Sequence, residues 1–479
     1  MEAGARKRLL LILGAAVLLA AGGGLFYVGS VAPVAAGYYA KVMCSGVFVS
    51  GRTPEALRAE DLALDHPFLR LMSADVDQGA RVVTARFAGL FQRQALYRDG
   101  LGCTLDTGTS PDSLRAQAAG YEAPRLPEEA AALAWPAGDG EPPGDAAAFD
   151  ESKLSAALDD AFLEPDPERP RRTRAVVGVH AGRLVADRYA EGFGRDMPLA
   201  GWSMTKSVTG ALVGVLAGAG KLSVEQPAPV SEWEPADDLR RAITLGDLLH
   251  MSSGLEFNED YFDLTADAPR MLFRAPSAGA YAAAKPLAHE PGSHWAYSSG
   301  TSNIVSRVIR ETVGGHLDDY WSFPQHALFH RIGARSFVLE PDPSGVFVGS
   351  SFCYATARDW ARLGLLFLNG GLAGEERILP EGWTEYAATP APRAPRGRYG
   401  AHVWLNAGDP GNPARRRWPD LPADLVMFNG FEGQHVVISP GLDLVVVRLG
   451  QSPGTGSTWN LKKFLEQLIP AFPARPPEG

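Results

Sequence analysis

One tetrapeptide in the sequence pairs a hydroxyl with an amine at a spacing that supports nucleophilic chemistry. It is Ser203-Met204-Thr205-Lys206, the only Ser-x-x-Lys in the chain. Side chains three residues apart share a helix face, so the Ser203 hydroxyl and the Lys206 amine should meet one turn apart. A hydroxyl becomes nucleophilic when a neighbouring base takes its proton, and a lysine among apolar groups loses part of its preference for the charged form. The pair is a candidate nucleophile and base.

The residues that follow this pair must hold it in place. Residues 208–220 carry no charge and few polar groups, which predicts a helix buried on nearly all sides. The free Ser203 amide at its N-terminal end would face a developing oxyanion, with the positive end of the helix dipole behind it. About one Ser-x-x-Lys is expected by chance in a chain of this length, so its role depends on other parts of the site.

Two further segments carry candidate site residues. Tyr297 precedes the apolar run 304–309, and a phenol in such a loop can relay a proton to a leaving group. The alternative is a tyrosine that packs under a helix N-terminus. Gly430 interrupts an apolar strand, where glycine often marks a close approach of ligand or backbone, and the Phe431 N–H is a candidate second oxyanion donor. The alternative there is a β-bulge without a chemical role.

The order of these motifs resembles a known superfamily. Ser203-x-x-Lys206, Tyr297-Ser298-Ser299 and Gly430-Phe431-x-Gly433-Gln434 look like the motifs of the serine β-lactamases and penicillin-binding proteins. The likeness is strongest to class C β-lactamase-related hydrolases, which include esterases and 6-aminohexanoate-oligomer hydrolases. It covers about residues 150–470, with residues 243–255 and 399–406 also typical of the group. The resemblance implies an acyl-enzyme on Ser203, with Lys206 as its base partner, Tyr297 as general base and acid, and the Ser203 and Phe431 amides as the oxyanion hole.

Two departures from the family pattern concern the substrate. Ser299 stands where β-lactamases usually carry Asn, and Phe428 stands where they carry a cation that meets a substrate carboxylate. With Trp202 and Phe431 nearby, and with Gly430 allowing close approach, Phe428 predicts a pocket for neutral or apolar acyl groups. The expected substrates are esters or amides. The alternatives are a β-lactamase or D-Ala-D-Ala carboxypeptidase, with a cation supplied by Arg393, Arg396 or Arg398, and an inactive envelope scaffold of the same fold.

Composition bounds the fold and excludes some partners. The chain has 479 residues, 46% of them apolar, which allows a large core and more than one unit. Its net charge of −10, without a basic stripe, argues against nucleic-acid binding, and no metal or organic cofactor is expected. Strand patterns near residues 175–189 and 424–449, with helices between them, predict an α/β (α+β) fold in which an antiparallel sheet is flanked by helices and carries an inserted helical domain.

The N-terminal residues predict a membrane anchor. Arg6-Lys7-Arg8 precede the apolar run Leu9 to Ala36, which is longer than a bilayer requires. Basic residues stay in the cytoplasm, so residues 1–36 are expected to form a single-pass inner-membrane helix and to place the rest in the periplasm. A signal peptide cut after Ala36 is the alternative. Residues 37–150 would be an extension and linker of unknown role, and residues 151–479 the hydrolase domain.

An extracytoplasmic location permits disulfide bonds. Cys44 and Cys103 both lie in the extension and could pair, whereas Cys353 resembles a small buried apolar residue. The alternative is three free, buried thiols.

Overall fold

The computed structural model describes the backbone of residues 2–62, 67–142, 147–453 and 456–474. Side chains are described for the same residues except 2–10, 12, 14–21, 25, 67 and 68. The strands are β1 (Met72–Asp77), β2 (Val82–Phe87), β3 (Phe91–Arg98), β4 (Gly102–Leu105), β5 (Thr173–His180), β6 (Arg183–Tyr189), β7 (Leu199–Ala200), β8 (Val338–Leu339), β9 (Cys353–Ala355), β10 (Leu372–Ala373), β11 (Glu376–Arg377), β12 (Trp404–Leu405), β13 (Val426–Gly430), β14 (Gln434–Ser439) and β15 (Leu444–Gly450). The helices are α1 (Glu2–Phe48), α2 (Pro54–Glu60), α3 (Pro111–Gln117), α4 (Glu151–Phe162), α5 (Thr205–Gly218), α6 (Leu245–Leu249), α7 (Asp267–Phe273), α8 (Ala278–Ala283), α9 (Ser299–Val313), α10 (Leu317–Pro324), α11 (Ala357–Leu368), α12 (Trp383–Ala388) and α13 (Leu461–Leu468).

An antiparallel sheet of order β12-β13-β14-β15-β5-β6 organises the C-terminal two thirds of the chain. Strands β5 and β15 are buried along their whole length, as expected for strands covered on both faces. Successive residues of β5 point to opposite faces: Val177 packs on the side of α11, and Val176 packs on the side of α4 and α13. The predicted architecture, a sheet built from distant segments with helices between them, is confirmed.

The C-terminal strands differ from the prediction at one turn. The apolar segment that contains Gly430 was expected to be one strand, but the chain turns at Phe431–Gly433 and divides it into β13 and β14. Glu432 and Gly433 both have positive φ, which ends β13 and reverses the chain. The apolar strand pattern on both sides of the turn was visible in the sequence, whereas the backbone reversal within it was not.

Helix α5 begins directly after the Ser203 turn and lies inside the molecule. Residues 205–214 and Leu216 are buried, as their composition predicts. Gly214 allows the close approach of helix α12, because a Cβ atom there would lie 2.6 Å from the Trp383 ring. Helix α9 packs beside α5 and carries the residues that follow Tyr297. Tight packing on several sides therefore fixes the start of α5.

The N-terminal extension forms a second sheet that helix α1 covers. Strands β1 to β4 pair antiparallel in sequence order, and α1 packs across β2, β3 and β4. Cys44 on α1 and Cys103 on β4 are joined in a disulfide, with their Cα atoms 6.1 Å apart. Lys41 of α1 forms a buried ion pair with Glu340, which follows β8 in the helical region. The disulfide therefore joins two parts of the extension, and the ion pair attaches the extension to the rest of the chain.

The expected transmembrane helix is not supported. In the part of the chain that the structure describes, no helix combines the length and the apolar character that crossing a membrane requires. Most side chains from Leu9 to Ala21 lie outside the described residues. The C-terminal end of the predicted span is part of the folded core: Val31, Val34 and Ala36 are fully buried. Helix α1 continues through the expected boundary at residue 36, because its apolar surface there packs against protein.

Candidate active site

Ser203 and Lys206 meet at the start of α5, as their spacing predicts. Ser203 lies in the tight turn Trp202–Met204 that leads into the helix. The Lys206 Nζ donates to Ser203 Oγ at 3.1 Å, to Ser299 Oγ at 3.0 Å and to the carbonyl oxygen of Ser350 at 3.1 Å. An ammonium fills all three contacts as donor, whereas a neutral amine fills two and accepts from Ser203. The arrangement suits an amine that exchanges a proton with Ser203.

The surroundings of Lys206 favour its neutral form. The side chain is buried, and burial lowers its pKa to about 8, while the negative charge of Glu259 acts in the opposite direction. The amine also lies 4.7 Å from the centre of the Tyr297 ring. With this pKa about one tenth of the amine is neutral at pH 7, a far larger fraction than in a free lysine. Lys206 can therefore act as a base.

Tyr297 reaches the same point from the loop before α9. Burial and the charge of Glu259 raise the pKa of Tyr297, and Ser203, as a hydrogen-bonding neighbour of the phenol, opposes this rise. The ring packs against Tyr399, with centroids 5.9 Å apart, and against Trp404, with centroids 5.2 Å apart. The phenol is thus held rigidly, and it is protonated at neutral pH.

Ser299, where the family usually has Asn, is connected to an acid that the sequence analysis missed. The Ser299 hydroxyl accepts from Lys206 and donates to Glu259, and the Ser299 N–H donates to the same carboxylate at 2.7 Å. Tyr261 joins the group through a hydrogen bond of 2.8 Å between its hydroxyl and Ser299 Oγ. Burial raises the pKa of Glu259, and Lys206 lowers it. Glu259 stands in the polar stretch Asn258–Asp260, which has the pattern of a solvated loop, so only the tertiary structure reveals it.

The strand that carries Gly430 passes directly beside the Ser203 turn. A Cβ atom on Gly430 would lie 2.1 Å from the carbonyl oxygen of Gly201, so only glycine allows β13 to approach this closely. Phe431 follows Gly430 at once, and its ring contacts the ring of Trp202 in the Ser203 turn. The two amides expected to bind an oxyanion therefore come from segments in backbone contact.

Aromatic side chains form a wall beside Ser203. The Phe431 ring lies edge-on to Trp202 at 5.8 Å between centroids and stacks on Tyr261 at 5.8 Å. Phe262, an exposed residue, lies 6.3 Å from Phe431 and extends the wall outward. A surface of this kind accommodates apolar parts of a substrate.

The structure does not bring Phe428 to this wall. Its side chain is fully buried and packs edge-on against Phe367 of α11, with centroids 5.0 Å apart. Of the three arginines considered as replacement cations, Arg393 and Arg396 are exposed, whereas Arg398 is half-buried and lies over the Trp295 ring at 4.6 Å. Trp295 belongs to the same apolar cluster as Tyr297. Of the three arginines, Arg398 is therefore the one that contacts a residue packed near the site.

Comparison with known proteins identifies the family and the fold. A model of the family described as Beta-lactamase matches residues 160–469. The 6-aminohexanoate-dimer hydrolase of Paenarthrobacter ureafaciens is 25% identical over 304 residues, which cover 59% of this chain and 73% of the relative. A Bacillus anthracis protein provisionally named a 6-aminohexanoate-dimer hydrolase has a similar structure, with a TM-score of 0.52, 22% identity and coverage of 66% of this chain and 80% of that one. The hydrolase EstCE1 gives a TM-score of 0.50 at 15% identity, with coverage of 67% and 98%.

Proposed function

We propose, for a chain that belongs to the β-lactamase family, that Ser203 cleaves esters or amides through a covalent acyl-enzyme. The observation that carries this proposal is the hydrogen bond of 3.1 Å between Lys206 Nζ and Ser203 Oγ. It joins the candidate nucleophile to a buried amine whose pKa lies at about 8. A hydroxyl activated by such a base is the usual requirement for nucleophilic catalysis by serine.

The first half of the reaction acylates Ser203. Neutral Lys206 takes the hydroxyl proton as Ser203 Oγ forms a bond to the carbonyl carbon of the substrate. The carbonyl π electrons move to its oxygen, and the Ser203 and Phe431 amides stabilise the negative charge. Collapse of this intermediate breaks the bond to the leaving alcohol or amine. Tyr297, which stays protonated because burial raises its pKa, donates a proton to that group and regains one from Lys206.

The second half returns the enzyme to its starting state. A water molecule loses a proton to Lys206, the base of the first half, and attacks the acyl carbon. The bond to Ser203 Oγ then breaks as the serine regains its proton. Ser299 stands beside Lys206 throughout and connects it to Glu259. The Glu259 charge counteracts burial and keeps the Lys206 pKa from falling further, so that the amine can still hold a proton during the reaction.

The substrate class follows from the walls of the site and from the relatives. The rings of Trp202, Tyr261 and Phe431 suit an apolar acyl group, and the similarity to a 6-aminohexanoate-dimer hydrolase supports amides as substrates. Phe428 supplies no cation for a substrate carboxylate. β-Lactam hydrolysis and D-Ala-D-Ala cleavage would depend on Arg398 instead.

A substrate panel tests the proposal directly. p-Nitrophenyl esters of increasing chain length, a linear amide and nitrocefin are compared on wild type and Ser203→Ala. We expect ester or amide turnover to exceed nitrocefin turnover, and a fluorophosphonate to label wild type but not the variant. Faster nitrocefin turnover would favour the β-lactamase alternative. A folded wild-type protein that no acylating probe modifies would favour the scaffold alternative.

We also propose that the protein folds in an oxidising, extracytoplasmic compartment. The Cys44–Cys103 disulfide supports this location, because such bonds are rare where thiols are kept reduced. Denatured protein from cells lysed with a thiol-blocking reagent should carry the reagent on Cys353 alone. Labelling of all three cysteines would contradict the proposal.

A further inference from the structure

Each of the two expected oxyanion donors stands next to a residue in a rare backbone conformation. Trp202, directly before Ser203, has a φ of +47°, and Glu432, directly after Phe431, has a φ of +60°. Side chains other than glycine adopt this region at a cost, and they remain in it only where the surrounding structure holds them. Something must therefore fix both turns.

One side-chain contact ties the two turns together. The Trp202 and Glu432 side chains are both buried and line the same small cavity, where Trp202 acts as a hydrogen-bonding neighbour that lowers the pKa of Glu432. Glu432 Oε1 also accepts from Gln451 Nε2 at 3.1 Å, and the Glu432 carbonyl oxygen accepts from the Ser452 N–H at 2.9 Å. Glu432 thus connects the Ser203 turn, the β13–β14 turn and the segment after β15.

The charges around Glu432 come largely from the N-terminal extension. Arg174 of β5 donates to both oxygens of Asp61, each at 2.8 Å, and Asp61 caps the C-terminal end of α2. Arg52, which follows α1, pairs with Asp61 and with Glu60. These four residues are the charge cluster of the extension and of β5.

The charge cluster borders on Glu432 in a small polar cavity. Burial is the main cause that raises the pKa of Glu432 to about 8; the charge of Asp61 raises it further, whereas Arg174 lowers it. Arg448 of β15 donates a hydrogen bond to the backbone carbonyl of Glu432. The cavity has a volume of about 30 Å³, and the titratable and charged side chains that line it beside Glu432 are those of Asp61, Arg52, Arg174, Tyr38 and Tyr354.

We propose that Glu432 is a positioning residue for the oxyanion hole and that the N-terminal extension controls it through Asp61 and Arg174. The inference rests on the proposed role of Ser203 and gives residues 37–150 a part in that role. An ionised Glu432 accepts hydrogen bonds from both Trp202 and Gln451. A protonated carboxyl group has one oxygen fewer that can act as a strong acceptor. The interaction between Trp202 and Glu432 therefore changes when the Glu432 carboxyl group ionises.

The contact can be followed without any substrate. In protein labelled with ¹⁵N-tryptophan, the Trp202 indole resonance, assigned with Trp202→Phe, should titrate near pH 8 in wild type. It should not titrate in this range in Glu432→Gln. Asp61→Asn removes a charge that raises the Glu432 pKa and frees Arg174, so the midpoint should fall by about one pH unit. The matched control is Asp75→Asn, an exposed carboxylate of the same extension, which should leave the midpoint unchanged. A Trp202 resonance that does not titrate, or an equal midpoint in Asp61→Asn and wild type, would overturn the proposal.

Kinetics on the best ester of the panel supply the second readout. Glu432→Ala should lower kcat about 10- to 100-fold with little change in KM, because a misplaced amide affects the transition state more than binding. Glu432→Gln should recover most of the loss, since its amide oxygen accepts from Trp202. Wild-type kcat in Glu432→Ala would refute the positioning role. If wild type itself is not acylated on Ser203, the proposed function fails, and the indole titration still decides the link between Trp202 and Glu432.

Discussion

Lys206 and Glu259 share one hydroxyl group: Ser299 Oγ accepts from the amine and donates to the carboxylate. Each charge acts on the other, since Glu259 raises the pKa of Lys206 and Lys206 lowers that of Glu259. The base of the proposed reaction is therefore tuned by an acid that lies outside the family's motif residues. This relationship leads to predictions on both members.

Removal of the amine should abolish most turnover without unfolding the protein. Lys206→Ala is expected to lower kcat about 10²- to 10⁴-fold, because the general base is lost. Lys153→Ala, at an exposed lysine of α4, is the control and should leave kcat unchanged. Turnover is measured on the best ester, and circular dichroism reports the fold. A folded Lys206→Ala variant with wild-type kcat would refute the role of Lys206 as base.

Removal of the Glu259 charge should shift the pH dependence of the reaction. Catalysis requires neutral Lys206, so the rate rises as pH passes upward through the Lys206 pKa. Glu259→Gln removes the charge that raises this pKa, and the rising limb of kcat/KM should move to lower pH by about one unit. Glu256→Gln, an exposed residue of the same loop, is the control. A limb that stays in place, or moves to higher pH, would contradict the tuning role of Glu259.

The close contact of β13 with the Ser203 turn predicts a strong effect of one added methyl group. Gly430→Ala places a Cβ atom against the Gly201 carbonyl oxygen and must push the two segments apart. A displacement of about 1 Å at the reacting groups can cost about 10²-fold in rate. We expect kcat to fall by this order, whereas Gly411→Ala, at a site with open space around it, should have no effect. Equal kcat values for the two variants would show that the contact does not position the site.

The buried ion pair between Lys41 and Glu340 should be important for stability. Glu340 is fully buried and accepts from Lys41, from Ser45 Oγ at 2.7 Å and from the Cys103 N–H at 2.6 Å. Glu340→Gln leaves the Lys41 charge buried without its partner, which costs about 3–5 kcal/mol of the free energy of unfolding. The exposed Glu55, paired with Arg58, serves as control, and Glu55→Gln should cost less than about 1 kcal/mol. Urea denaturation measures both values, and equal losses would contradict the prediction.

The disulfide should stabilise the extension to a similar degree. Cys44 and Cys103 are 59 residues apart, so their bond restricts a long loop of the unfolded chain. The double variant Cys44→Ser and Cys103→Ser is expected to lose about 2–4 kcal/mol of the free energy of unfolding. Cys353→Ser is not a matched control, because its thiol is buried and free; reduced wild-type protein is the better comparison and should resemble the double variant. Unchanged stability after reduction would refute the expectation.

What could be predicted from the sequence depended on how local each relationship is. Ser203 and Lys206 are one helical turn apart, so their meeting followed from helix geometry. To place Tyr297 and Gly430 in the same site as Ser203 required the resemblance to a known family, because only a fold brings residues so distant in sequence to one point. Glu259 has no such pattern, and its role emerged only from the contact with Ser299.

The charge cluster was not predicted either, because its members are distant in the sequence. Asp61 and Arg174 are 113 residues apart, one after α2 and the other in β5, so neither residue indicates the other in the sequence. The apolar run at the N-terminus shows a related limit of sequence patterns. Hydropathy measures how apolar a helix is, but Val34 and Ala36 contact protein, and hydropathy does not distinguish protein from lipid as the surrounding medium.

The pairing of β5 with β15 has a consequence for synthesis of the chain. Val177 lies opposite Val447, so the middle of the large sheet cannot close until a segment 270 residues further along the chain is available. Contacts of such long sequence separation form slowly, and incomplete chains expose strand edges in the meantime. The sheet of β1 to β4, whose neighbours follow one another directly, can assemble much earlier. Newly made chains should therefore pass through a stage in which the N-terminal sheet is structured and the large sheet beside Ser203 is still open. Chaperones are expected to be most important at this stage.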